Sequence, residues 1–233
     1  MEAFLTPSFL LAVGQIIMID ILLGGDNAVV IALACRKLPP KQRTLGIIYG
    51  AAGAIVLRVI LIAFALTLLA VPYLKLVGAI LLVWIGVKLL LPEHDDAHSN
   101  INASDKLWSA VKTVIVADLV MSVDNVLAIA GAAESAGQHQ LALVIFGLLV
   151  SIPIIVGGSQ IVLKLMENLP IIITLGGMLL GWIAGQMAYT DPALKGLVPA
   201  SKPLEYACAV AGAVVVLVLG KVIASRNSAT AKV

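Results

Sequence analysis

Seven stretches dominated by apolar residues divide the chain, at about 9–34, 44–70, 72–91, 108–133, 140–166, 170–188 and 204–224. Each approaches or exceeds the roughly 20 residues that an α-helix needs to cross a bilayer. The breaks between them carry turn residues and charges: KLPPKQR, VP, PEHDDAHSNINASDK, ESAGQHQ, ENLP and YTDPALKGLVPASKP. This pattern predicts an all-α polytopic membrane protein with seven transmembrane helices and a loose polar tail, SRNSATAKV.

Composition sharpens that picture. Of 233 residues, 61% are hydrophobic and only 12% charged, with a mean hydropathy of +1.09. A soluble domain carries roughly a quarter charged residues, so too few polar groups exist here to cover a water-exposed surface. The lipid bilayer is the expected partner. A net charge of +2 gives no reason to expect nucleic acid. Cys35 and Cys208 lie in different segments and form no redox or metal-binding spacing. MEAFLTPSF has neither the basic start nor the small-residue cleavage site of a signal peptide, so the first apolar run is expected to stay as a helix.

Lysine and arginine placement predicts the orientation. With the N-terminus outside, the cytoplasmic side receives Arg36, Lys37, Lys41, Arg43, Lys88, Lys106, Lys112, Lys164, Lys221, Arg226 and Lys232. The other side receives Lys75, Lys195 and Lys202, and Arg58 remains in mid-helix. The expected location is the cytoplasmic membrane, N-terminus out and C-terminus in.

A shift of 98 residues aligns the halves of the chain. Asp20, Asp26, Asn27, Ile31, Ala32 and Ala34 meet Asp118, Asp124, Asn125, Ile129, Ala130 and Ala132. In the same register, Pro72, Gly78 and Trp84 meet Pro170, Gly176 and Trp182. Each copy holds three helices, so the second must enter the membrane inverted, the plan of many secondary transporters. The expected organisation is a first repeat over 1–91, a cytoplasmic hydrophilic loop over 92–107, and an inverted repeat over 108–190. A seventh helix with its tail occupies 191–233.

The duplicated acids are the candidate chemistry. At about 100° per residue, Asp20, Gly24 and Asn27 share one helical stripe, as do Asp118, Ser122 and Asn125. Asp26 and Asp124 lie to the side, next to their asparagines. Gly24 and Gly25 permit close helix approach or local unwinding. Facing helices one and four would bring Asp20, Asp26, Asn27, Asp118, Asp124 and Asn125 together at mid-membrane. Such an oxygen-only set suits hard divalent cations, Mn²⁺, Mg²⁺ or Ca²⁺. Carboxylates inserted into a bilayer cost about 2.5–3.5 kcal/mol each and are functional by default. Arg58 aligns with Val156 and reads equally as a charge-tuning partner for one acid or as a helix-orienting ion pair. Lys88, which aligns with Gln186, reads as a snorkelling surface lysine. Pro153 with Gly157-Gly158 predicts a kink. In the central loop, His94, Asp95, Asp96 and His98 offer a cytoplasmic metal-collecting segment, weighed against a plain solvated linker.

The paired motifs GGDNAVVIALA and MSVDNVLAIAGAA, with Arg58 and the VWIGVKLL end of helix three, resemble the TerC family of integral membrane proteins, in particular its shorter members. The resemblance runs over almost the whole chain. It implies manganese export from the cytoplasm, with Mn²⁺ as substrate and no organic cofactor. The family's suspected metal-binding acids fall here on Asp20, Asp26, Asp118 and Asp124, beside Asn27 and Asn125. Oxygen ligands alone rank Mn²⁺ no higher than Ca²⁺; the resemblance supplies that preference. From the acids themselves we expect protons as counter-ion, in a secondary carrier rather than an enzyme, with a homo-oligomer also considered. The alternatives are an exporter of Ca²⁺ or a small organic solute, and a non-transporting membrane scaffold for metal loading.

Overall fold

The computed structural model describes residues 14, 17–18, 25–64, 71–91, 103–134, 140–194 and 197–230, without the side chains of 63, 103, 124, 126–134, 140–144 and 227–230. The helices are α1 (Gly25–Cys35), α2 (Pro40–Ala63), α3 (Leu74–Leu90), α4 (Ala103–Glu134), α5 (Gln140–Asn168), α6 (Ile171–Tyr189) and α7 (Lys202–Thr230), with a short 3₁₀ turn at Pro192–Leu194. Each sits on one of the predicted apolar runs. Among the described residues α2, α5, α6 and α7 are long and apolar enough to cross a membrane. The spanning windows of α5 and α7 are only 28% and 22% buried inside the protein, so most of their apolar surface must meet lipid. Val56, Ile80, Trp84, Ile161 and Leu175 are likewise exposed. The molecule is a multi-pass integral membrane protein.

Helix ends differ from the apolar runs where hydropathy is silent. α4 begins at Ala103, inside the stretch 92–107 read as loop, with Asp105 in its first turn favourably placed against the helix dipole. α7 continues to Thr230 through the tail expected to be loose, because nothing between 221 and 230 is Pro or Gly. Pro153 lies inside α5, which stays helical from Gln140 to Asn168.

Packing follows small residues. Cβ atoms at Gly181, Gly185 or Gly212 would collide with the facing backbone, so α6 and α7 cross in main-chain contact. α2 lies on α4, with Gly50 and Gly53 receiving Val114 and Ile115. Gly176 of α6 admits Val29 and Leu33 of α1, and Gly78 of α3 admits Val120 of α4. The main core among the described residues includes Leu33, Ile47, Leu82, Ile85, Val114 and Leu180.

At one end of the bundle α3 has no local cap. Tyr73, at φ 67°, turns the chain, and the Asp191 carboxylate accepts from the N–H groups of Tyr73 (2.9 Å), Leu76 (3.0 Å) and Ala193 (2.7 Å). A side chain beyond α6 thus caps the N-terminus of α3. Asp191 is almost fully buried. Burial raises its carboxyl, but the N–H groups of Ala193, Tyr73, Leu76 and Lys75 outweigh that, and it titrates below the ordinary carboxylate value.

Candidate cation site in the helix bundle

α2 and α4 meet over a buried polar cluster. Arg58 Nη2 donates to Asp118 Oδ1 at 2.5 Å, and Arg58 Nε donates to Ser122 Oγ at 3.1 Å. The Ser122 hydroxyl, one helical turn beyond Asp118, donates to Asp118 Oδ2 at 3.0 Å. Arg58, Asp118 and Ser122 are 2%, 6% and 0% exposed, so the charges stand only because each is answered. Both Asp118 oxygens are engaged. Each oxygen keeps a second lone pair, so Asp118 could add a cation while still held by Arg58 and Ser122. Arg58 therefore pairs with an acid and also holds α2 against α4.

Asp26 lies half-buried at the start of α1, where Oδ1 accepts the N–H of Asn27 at 2.8 Å. It is close enough to feel the charges of both Arg58 and Asp118. Asn27 follows at 3% exposure, and among the described residues neither its amide oxygen nor its amide nitrogen has a hydrogen-bond partner. An orphaned buried amide costs about 1–3 kcal/mol, which makes Asn27 the feature most in need of a ligand.

A cavity of about 310 Å³ reaches Asp26 from the end of the bundle that carries Tyr73 and Asp191. Its walls include Asp26 of α1, Lys75 of α3, Asn125 of α4, Gln186 of α6, Thr190 and Glu205 of α7. The sequence-predicted residues Asp26 and Asn125 thus share one space, with Asp118 and Ser122 on the same helix as Asn125. Gly25 is exposed. Asp20, Gly24, His94, Asp95, Asp96 and His98 lie outside the described residues, as does the Asp124 side chain, although the Asp124 backbone lies within α4. Among the described residues no three His, Cys, Asp or Glu side chains cluster as a metal site. Lys75, Gln186, Thr190 and Glu205 were not singled out as site residues by sequence reasoning. Gln186 carried one signal, its alignment with Lys88 at the repeat spacing of 98.

Comparison with known proteins accords with this architecture. The chain is 42% identical over 187 residues to the Bacillus subtilis membrane protein YjbE, covering 80% of this chain and 83% of YjbE. It is 29% identical over 184 residues to YceF of the same organism, covering 76% and 70% of the two chains. It is also 29% identical over 151 residues to the Escherichia coli inner membrane protein YoaE, of which it covers only 29%. No solved structure gives a significant match. The sequence pattern of the integral membrane protein TerC family fits residues 5–228, and the chain belongs to that family.

Proposed function

We propose that the protein is a secondary-active exporter of Mn²⁺ across the cytoplasmic membrane, working through an acidic site near the membrane midplane and coupled to protons. The observation that carries this reading is the buried amide of Asn27 beside Asp26, which has no partner among the described residues. An amide oxygen next to a carboxylate is an unfinished shell for a hard cation, and a cavity leads to that carboxylate. Asn125 stands across the same cavity, so both halves of the chain contribute oxygen ligands. Asp20, Asp124 and Asp118 would complete the shell. Mn²⁺ is preferred to Ca²⁺ on the family resemblance, since oxygen ligands serve either ion.

Seven spans with two inverted three-helix repeats fit the same reading. Gly78 and Gly176, matched at a spacing of 98, each open α3 or α6 to the leading helix of the opposite repeat. Rocking of one repeat against the other would expose the site to each side in turn. In the proposed orientation the cavity beside Asp26 faces outside, where a proton replacing the metal would release it.

Everted membrane vesicles test this directly. Wild type is expected to accumulate Mn²⁺, and Asp26→Asn and Asp124→Asn, inserted at normal levels, are expected not to. Collapsing the pH gradient is expected to stop wild-type uptake. Uptake by both variants at the wild-type rate would remove the acids from the transport site, and indifference to the gradient would remove proton coupling.

A further inference from the structure

At the end of the bundle opposite Tyr73 and Asp191, two adjoining cavities of about 230 and 430 Å³ lie between α3 and α4. Lys88 of α3 and Asp105, Ser109 and Thr113 of α4 line both. Lys106 lines the first, and Trp84, Trp108 and Lys112 line the second. Leu38 and Leu89 give the first an apolar wall, and Ile85 and Val116 do the same for the second. Three ammonium groups thus converge on one groove, against the single carboxylate of Asp105. Lys37 also reaches the first cavity, but its Nζ donates to the Leu91 carbonyl at 2.8 Å.

Helical spacing produces this arrangement. Asp105, Trp108, Ser109 and Lys112 fall on one face of α4, and Trp84 and Lys88 stand one turn apart on α3. The Lys88 ammonium lies 5.1 Å from the centre of the Trp84 ring. Trp108 stacks on Tyr49 of α2, with ring centroids 6.2 Å apart, and both tryptophans remain exposed. Exposed tryptophan gathers at the headgroup level of a bilayer. A snorkelling lysine needs only water at its tip. Here lysines from two helices meet tryptophans around bounded cavities.

We infer that this groove binds an anionic phospholipid of the surrounding leaflet, with its phosphate among Lys88, Lys106 and Lys112. Its chains would run along Trp84, Ile85 and Val116. Charge selects this occupant, since a basic pocket between membrane helices attracts an anionic headgroup. A zwitterionic lipid would bring its own cation to the same rim. A soluble anion would leave the apolar wall and both indoles uncovered. In the proposed orientation the leaflet is the cytoplasmic one. Such a lipid would bind whatever solute the protein carries.

The chain has three tryptophans, two of them at this groove, and bromine on a lipid chain quenches an indole on contact. The full chain with Trp182→Phe is reconstituted in mixtures of phosphatidylglycerol and phosphatidylcholine, with dibrominated chains on one lipid or the other. Quenching of Trp84 and Trp108 is expected to show phosphatidylglycerol held roughly tenfold more tightly. Lys88→Gln, Lys106→Gln and Lys112→Gln together should bring that preference to roughly twofold or less, whereas arginine at all three should keep it. Lys164→Gln with Lys221→Gln, away from the groove, should also keep it. Equal quenching by the two lipids in wild type would overturn the inference. An equal loss in the Lys164 and Lys221 variant would do so too, by assigning the effect to diffuse surface charge. Inorganic phosphate at constant ionic strength should leave the preference in place, and its reversal would replace the lipid with a free anion. The rival for these lysines is the acidic sequence Glu93, Asp95 and Asp96. A preference seen only after Glu93→Gln, Asp95→Asn and Asp96→Asn would give the groove to those acids and sink the lipid.

Discussion

At the scale of single residues, two buried polar groups on neighbouring helices follow opposite logic. Arg58 and Asp118 answer each other, so removing one strips the other of a buried partner of opposite charge. Arg58→Ala should lower unfolding stability by about 3–5 kcal/mol. The double variant Arg58→Met, Asp118→Leu should lose much less than the sum of the single changes, a coupling that a thermal double-mutant cycle in detergent would read. The amide of Asn27 has no such answer among the described residues. Leucine is close to it in size and needs no hydrogen bond, so Asn27→Leu should raise stability by about 1–3 kcal/mol while abolishing transport. Stability gained with function lost would identify Asn27 as a ligand kept at a cost. A loss of stability would show that the amide has a structural use. The sequence made Asn27 conspicuous through its repeat partner Asn125, but isolation of its amide depends on neighbours brought in by tertiary packing.

Between elements, glycine placement decides how closely helices approach. Gly212 of α7 faces the Gly181 carbonyl of α6 with no room for a Cβ. Gly212→Ala should therefore separate the two helices and lower stability by about 2 kcal/mol or more. Gly157 of α5 meets nothing within 4 Å of a built Cβ. There Gly157→Ala should be neutral or stabilising by up to about 1 kcal/mol, through helix propensity alone. Thermal unfolding of the two variants side by side would separate packing from propensity. The apolar runs of the sequence placed each of the described helices. The start of α4 was not legible, because hydropathy sees the part of a helix in lipid and misses the polar turn that precedes it. The cap on α3 was invisible for another reason: Asp191 sits in a TDP turn that reads as an ordinary loop, and the N–H groups it caps at Tyr73 and Leu76 are 118 and 115 residues away.

For the molecule as a whole, that cap links pH to integrity. The Asp191 carboxyl is held below its ordinary value in the folded protein. Its contribution is therefore complete above the unfolded carboxylate pKa of about 4 and is lost as pH falls through the folded value. Asp191→Asn should remove about 2–3 kcal/mol at neutral pH. It should also flatten the acid limb of stability between about pH 4 and the folded value, as seen in melting temperatures measured against pH. A parallel acid limb in wild type and variant would assign the acid sensitivity to other groups. The hydroxyl of Tyr189 reinforces the same region. It accepts from the Ser201 N–H at 2.7 Å and lies 2.8 Å from the Pro199 carbonyl, joining the end of α6 to the approach to α7.

The Asp191 cap also has a consequence for biogenesis. Tyr73 and the carboxylate that receives its N–H are 118 residues apart. At synthesis rates of about 5–20 residues per second, α3 waits roughly 6–24 seconds in the membrane before its cap has been made. Through that interval its first N–H groups must be satisfied by water or lipid headgroups at the interface. Until Asp191 arrives, the start of α3 lacks the contact that fixes its register in the folded protein.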